Sequence, residues 1–346
     1  MLLYADHITT RLQYISDFIG RELLGEAFEL TTEKDSLKNR QEPYINYSRE
    51  YISVNEFRIE PYVLLFENDI RPQPVSVFMN NPVKAFFQSG GDFPFDIFAA
   101  SFYLMSRYEE YLPHEKDMYG RYAHANSLAF RHQFLQQPLI NTWIKELGIK
   151  LKLKFPGHLF PGPEQKIPFL PTYDIDQAYS FKYKSFWKNA GGFIKALASG
   201  NRTAIKERRN VLDGRRPDPF DAFTWMDQLH QRYSLTPMYF FIIAGKPGKY
   251  DKNIAPGKKA MRDLIIHLSN RYRVGIHPSW QSGDDVSLLE KEITQLNGIT
   301  GKRVTDSRQH YIRFTLPQTF RQLIKAGILQ DYSMGYGSIN GFRASV

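Results

Sequence analysis

Three places in the chain carry side chains able to do hydrolytic chemistry. The first is Thr172-Tyr173-Asp174-Ile175-Asp176. In an extended chain two carboxylates two residues apart point the same way. Placing both at the tip of an apolar strand is costly unless positive charge meets them. A metal ion on one, with the other free as a general base, removes that cost. Asp is also favoured in turns and at helix N-caps, which needs no chemistry. The second place is His277-Pro278-Ser279-Trp280. A neutral imidazole there suits a borderline metal, though a lone His is more often satisfied by a backbone carbonyl. The third is Arg308-Gln309-His310-Tyr311, where the Arg can orient a carboxylate and the His can ligate or face substrate.

The elements that must position these residues follow from hydrophobic periodicity. From about residue 165 the pattern alternates. Strands are expected near 167–173, 238–243, 274–277 and 304–307. Helices are expected near 186–198, 218–233, 256–270, 285–296 and 317–326. Strands spaced by helices of this length give βα units and a parallel sheet or barrel. In such folds chemistry gathers at the carboxyl ends of the strands, and each of the three motifs falls at one. The first half is a mixed α+β pattern instead. It has a helix near 6–24, strands near 26–32, 44–47 and 57–65, and helices near 96–111 and 138–153. A Pro/Gly-rich run at 155–163 marks the boundary, giving domains 1–160 and 165–346.

Composition narrows the classes. With no cysteine, thiolate catalysis and disulfides are excluded, and a metal site must use His, Asp, Glu and water. The amino terminus lacks the basic start, apolar core and small-residue cleavage site of a secretory leader. No run approaches the roughly 18 apolar residues of a membrane span. A cytoplasmic location is expected. The net charge of +9 favours anionic partners, and the excess is concentrated between Phe181 and Arg216. A solvated basic helix or loop accounts for that stretch equally well. No nucleic-acid-binding signature accompanies it, so no nucleic-acid partner is expected.

At the three motifs the sequence resembles the polysaccharide deacetylases, the NodB-homology family. The resemblance runs over residues 165–346 with the motifs in family order, and is nearest a divergent Bacteroidetes-type branch. It implies a βα-barrel-like domain in which Asp174 is the base and Asp176, His277 and His310 hold a divalent metal, zinc first. The family's second motif has a further His four residues after the first. Here that position is Gln281, and His310 is the substitute expected. Arg308 and Arg343 both fit the role of orienting Asp174. Arg343 lies in Gly341-Phe342-Arg343, which resembles a groove-lining segment of that branch. Trp280, Tyr311 and Tyr336 are expected to touch substrate.

The resemblance further implies hydrolysis of the acetamide of an N-acetylated sugar, in a glycan or a phosphate- or lipid-linked precursor. The alternative is a degenerate deacetylase fold that binds glycan without cleaving it. The family's late His acid has no counterpart before Val346, from which a chain cut short of a full barrel is expected. The first half resembles the accessory domain found ahead of some bacterial deacetylase-like proteins, on Phe93–Ala100 and Ser106–Tyr111. Its Glu109-Glu110 pair reads as a helix-end surface feature.

Overall fold

The computed structural model describes residues 1–80, 82–158, 169–246 and 248–346. The chain forms two compact units: Met1–Ile167 together with Met334–Val346, and Pro168–Ser333. The Pro/Gly boundary run falls largely outside the described residues, as does the start of the strand expected at 167. The final segment was expected with the second domain. It belongs to the first, because Ile140 N–H donates to the Ser345 carbonyl and Phe342 N–H to that of Leu135.

The first unit is built on a parallel four-stranded sheet in the order β2-β1-β3-β4. The strands are β1 (Leu2–Ala5), β2 (Glu29–Thr31), β3 (Tyr44–Tyr47) and β4 (Glu56–Arg58). A hairpin pairs β5 (Phe78–Asn80) with β6 (Val83–Ala85). The helices are α1 (Thr10–Asp17), continued by a π-helical turn at Phe18–Leu24, α2 (Ile97–Met105), α3 (Leu128–Arg131) and α4 (Leu139–Lys154). Aromatic side chains fill the core, with Phe86, Phe95 and Trp143 edge to face. The single helix expected at 96–111 is broken. Asp96 caps its start by accepting from Ala99 N–H, but Arg107 takes a left-handed conformation (φ 57°) and a 3-10 turn follows at Tyr108–Tyr111. The Glu109-Glu110 pair is not a surface feature either. Both are buried, and Arg107 donates to Glu110 Oε1 at 2.8 Å.

The second unit carries a five-stranded parallel sheet in the order β11-β10-β9-β8-β7. Its strands are β7 (Thr172–Ile175), β8 (Met238–Ile242), β9 (Arg273–His277), β10 (Asp306–Ser307) and β11 (Gln330–Asp331). The helices are α5 (Phe186–Ala198), α6 (Arg202–Leu212), α7 (Phe223–Arg232), α8 (Lys259–Ser269), α9 (Val286–Thr300) and α10 (Gln318–Lys325). Strand order follows chain order, so right-handed crossovers place the connecting helices on one face. Tyr239, Phe241, Val274 and Ile276 face that side, packed with Met261, Ile265, Leu289 and Ile293 of α8 and α9. A parallel sheet or a barrel-like domain short of closure was expected; among the described residues the sheet is open, with β7 and β11 at its edges. No helix of the described residues is long and apolar enough to cross a membrane.

Register decides which side chains share the opposite face. Asp174 stands beside Phe240, and Phe240 beside Gly275. One pleat further on, Ile242 stands beside His277. Asp174, Asp176 and His277 therefore point to one side, near the carboxyl ends of their strands. Gly275 keeps this row flat. A Cβ there would lie 2.6 Å from the Phe240 ring and 2.8 Å from the Asp306 carbonyl. Gly275→Ala is expected to destabilise the second unit by about 1–3 kcal/mol, read by denaturant unfolding, because the sheet must shift to admit it.

Candidate metal and hydrolytic site

Asp176, His277 and His310 converge. Each offers one ligating atom, and these atoms lie within 4.8 Å of one another. Asp176 Oδ1 is 3.2 Å from His277 Nε2 and 3.9 Å from His310 Nε2. Tetrahedral zinc with bonds of about 2.0–2.1 Å separates its ligands by roughly 3.3 Å. The donors present therefore fit a divalent ion with small adjustments.

Each imidazole is held by its other nitrogen. His277 Nδ1 lies 2.5 Å from the Arg308 carbonyl, which can only accept, so Nδ1 carries the hydrogen and Nε2 keeps its lone pair. His310 Nδ1 lies 3.1 Å from Asp251 Oδ1, which fixes its tautomer the same way. Both oxygens of Asp251 also accept from Trp280 N–H, at 3.0 and 3.2 Å. Both rings are buried, while Asp176 opens to solvent. Burial works to raise the Asp176 carboxyl. The hydrogen bond and charge of a protonated His277, with His310 behind it, outweigh that and hold it below the usual carboxylate range, and an ion on Nε2 would take that proton's place. It is thus ionised, as a ligand must be. Beyond His277, the buried Glu292 accepts from Ser279 N–H at 3.0 Å and fixes the turn. Burial pushes the Glu292 carboxyl up.

Asp251 was not foreseen from the sequence. It sits in the loop after β8, outside any periodic element, and its role comes from a contact 59 positions away. The signal available was its place after a strand end. Asp251→Asn is expected to weaken metal affinity by about 10- to 100-fold. Zinc titration calorimetry checks this, and unchanged affinity would remove Asp251 from the site.

Beside the triad, Arg308 donates to Asp174 Oδ1 at 3.1 Å and to Thr172 Oγ1 at 2.8 Å. Its guanidinium lies over the Phe240 ring, 4.8 Å from the centroid. Of the two arginines expected at Asp174, Arg308 reaches it. Arg343 belongs to the first unit, where it donates to both oxygens of Glu110, at 2.8 and 2.6 Å. The aromatic residues divide likewise. Trp280 stacks on Tyr250 at 3.9 Å, and Tyr311 meets Trp280 edge-on at 5.6 Å beside His310. Tyr336 lies in the first unit, its hydroxyl accepting from Arg107 at 3.2 Å. Tyr311 and Ile312 both have positive φ (58° and 55°), backbone strain of the kind that collects at functional sites.

Comparison with known proteins adds the following. Residues 1–156 match the model of a family of unknown function, DUF7033. No curated protein matches the sequence. Among solved structures, one described as a polysaccharide deacetylase from Mycobacterium smegmatis is similar over 48% of this chain and 51% of its own, with 13% identity and a TM-score of 0.30. IcaB from Ammonifex degensii is similar over 48% of this chain and 84% of its own, with 13% identity and a TM-score of 0.29. The match spans about half the length of the first of these. With likenesses this distant, the site rests on its own side chains.

Proposed function

We propose that the second unit is a metal-dependent hydrolase that removes acetyl groups from N-acetylated sugars. The convergence of Asp176, His277 and His310, each imidazole oriented by a second partner, carries the metal reading. The acetamide substrate comes from the resemblance of the three motifs. A divalent ion held there, zinc by its taste for nitrogen and oxygen donors, would supply Lewis acidity toward an amide carbonyl and a water. Asp174, steadied through one oxygen by Arg308, takes the proton of the attacking water on the other. Arg308 thereby keeps the base aimed. Tyr250, Trp280 and Tyr311 form an aromatic wall against which a sugar ring packs.

The test is acetate release from N-acetylglucosamine oligomers by zinc-loaded protein. Asp174→Asn is expected to keep the metal and lose about 10²–10⁴-fold in rate. Full activity in that variant would exclude Asp174 as the base. Metal-loaded wild type that binds such oligomers without releasing acetate would favour glycan binding over hydrolysis.

A further inference from the structure

Helix α5 has no buried residue along its whole length. Phe186, Trp187, Ile194 and Leu197 are 76%, 81%, 68% and 73% exposed. With Ala190 and Phe193 they recur at i, i+1, i+4, i+7, i+8 and i+11, which places them on one stripe of a helix. Single exposed apolar residues are ordinary, but a contiguous stripe of large ones marks a contact surface. The stripe is real helix rather than fraying coil, since Ser185 caps it by accepting from Lys188 N–H. Helix α6 secures its flank: Arg208 donates to Asn189 Oδ1 at 2.8 Å and lies over the Phe181 and Phe193 rings.

Around this stripe the charge is one-sided. Lys188, Lys195, Arg202, Lys206 and Arg216 are exposed and have no acidic partner among the described residues. The acidic residues of α6 and its end are Glu207 and Asp213, and Asp213 already faces Arg209 and Arg215. An apolar stripe on one face of a helix, with cations on its other face and on the next helix and with Trp and Phe at its start, is the signature of a helix that lies in a membrane interface. We propose that the α5–α6 hairpin docks the protein on an anionic lipid surface, with Phe186, Trp187, Ile194 and Leu197 inserted among the acyl chains and the neighbouring cations at the headgroups.

Charge complementarity selects this occupant. A second copy of the hairpin would bring like charges together. A nucleic acid would meet the cations but leave Trp187, Ile194 and Leu197 in water. An anionic bilayer satisfies both at once.

The experiment uses the whole chain with vesicles of phosphatidylcholine alone and of phosphatidylcholine mixed with phosphatidylglycerol, read by co-sedimentation and tryptophan fluorescence. Wild type is expected to bind the anionic vesicles at least about tenfold more tightly, with affinity falling as salt rises. Trp187→Ser combined with Leu197→Ser is expected to weaken binding on the order of 100-fold. Arg202→Glu combined with Lys206→Glu is expected to weaken it on the order of 10- to 100-fold on anionic vesicles only. All four side chains are exposed, so melting curves should match wild type. Equal binding to both vesicle types, or no wild-type binding to either, would overturn the proposal. So would self-association abolished by the Trp187→Ser, Leu197→Ser pair without any vesicle binding.

Discussion

Asp176→Ala is expected to purify without its ion, where wild type after mild zinc loading holds about one per chain. The reason is electrostatic as well as geometric. Asp176 is the anionic member of the triad, and its Oδ1 lies near both imidazole Nε2 atoms. Its loss leaves two neutral nitrogens to hold a dication. The fall in affinity should exceed the about 10- to 100-fold expected for Asp251→Asn, which removes only the partner of His310 Nδ1. A bound ligand also stabilises the fold it binds, so zinc should raise the melting temperature of wild type and not of the variant. Elemental analysis beside thermal unfolding reads both effects. A variant that keeps a stoichiometric ion and its zinc-dependent melting shift would place the metal elsewhere.

Glu110→Gln is expected to cost about 3–5 kcal/mol of stability in the first unit at neutral pH. Glu110 lies between two buried arginines, accepting from Arg107 on one side and bidentately from Arg343 on the other. Arg107 also donates to the Arg343 carbonyl, tying the two together. The amide keeps the shape and removes the charge, which leaves two desolvated guanidiniums facing each other. Burial alone would raise the Glu110 carboxyl. Hydrogen bonding from Arg343 and the charge of Arg107 overcome it and hold it below the ordinary value of 4.5. A depressed carboxyl contributes stability in full above its unfolded value and loses it as pH falls through the folded one. Urea unfolding of wild type and variant should therefore differ most near neutrality and converge as pH falls below the ordinary carboxylate range. Burial pushes neighbouring Glu109 the other way, so the difference between the two proteins, not the wild-type curve, isolates Glu110. A gap that stays constant into acid would mean the loss is one of packing, not charge.

The strand tips were legible because βα alternation is a strong periodic signal and places Asp174, Asp176, His277, Arg308 and His310 at one rim. Asp251 and Tyr250 were not, since a loop residue acquires its role from whatever folds against it. The two-residue strands β10 and β11 carry too few residues for a pattern to show; β11 and the four-residue β1 were missed, and β10 was read as 304–307. The break at Arg107 escaped because its cause is tertiary: a charge pair with Glu110 and a bond to a residue 236 positions away outweigh local helix preference. Arg343 misled for the same reason. Its neighbours Gly341 and Phe342 look like a groove segment, yet its partner Glu110 lies 233 positions earlier.

Because the last segment completes the first unit, that unit is written in two pieces with the sheet unit spliced between them. Residues 1–156, the stretch that matches a family model, lack the segment of chain that supplies Arg343. A polypeptide ending there would leave Glu110 with Arg107 alone, and Ile140 N–H and the Leu135 carbonyl without their partners. On the ribosome, the first unit must likewise wait for residues 334–346 to emerge before its buried charges are matched. The natural place to cut this protein is therefore on either side of the inserted sheet unit rather than once through the middle.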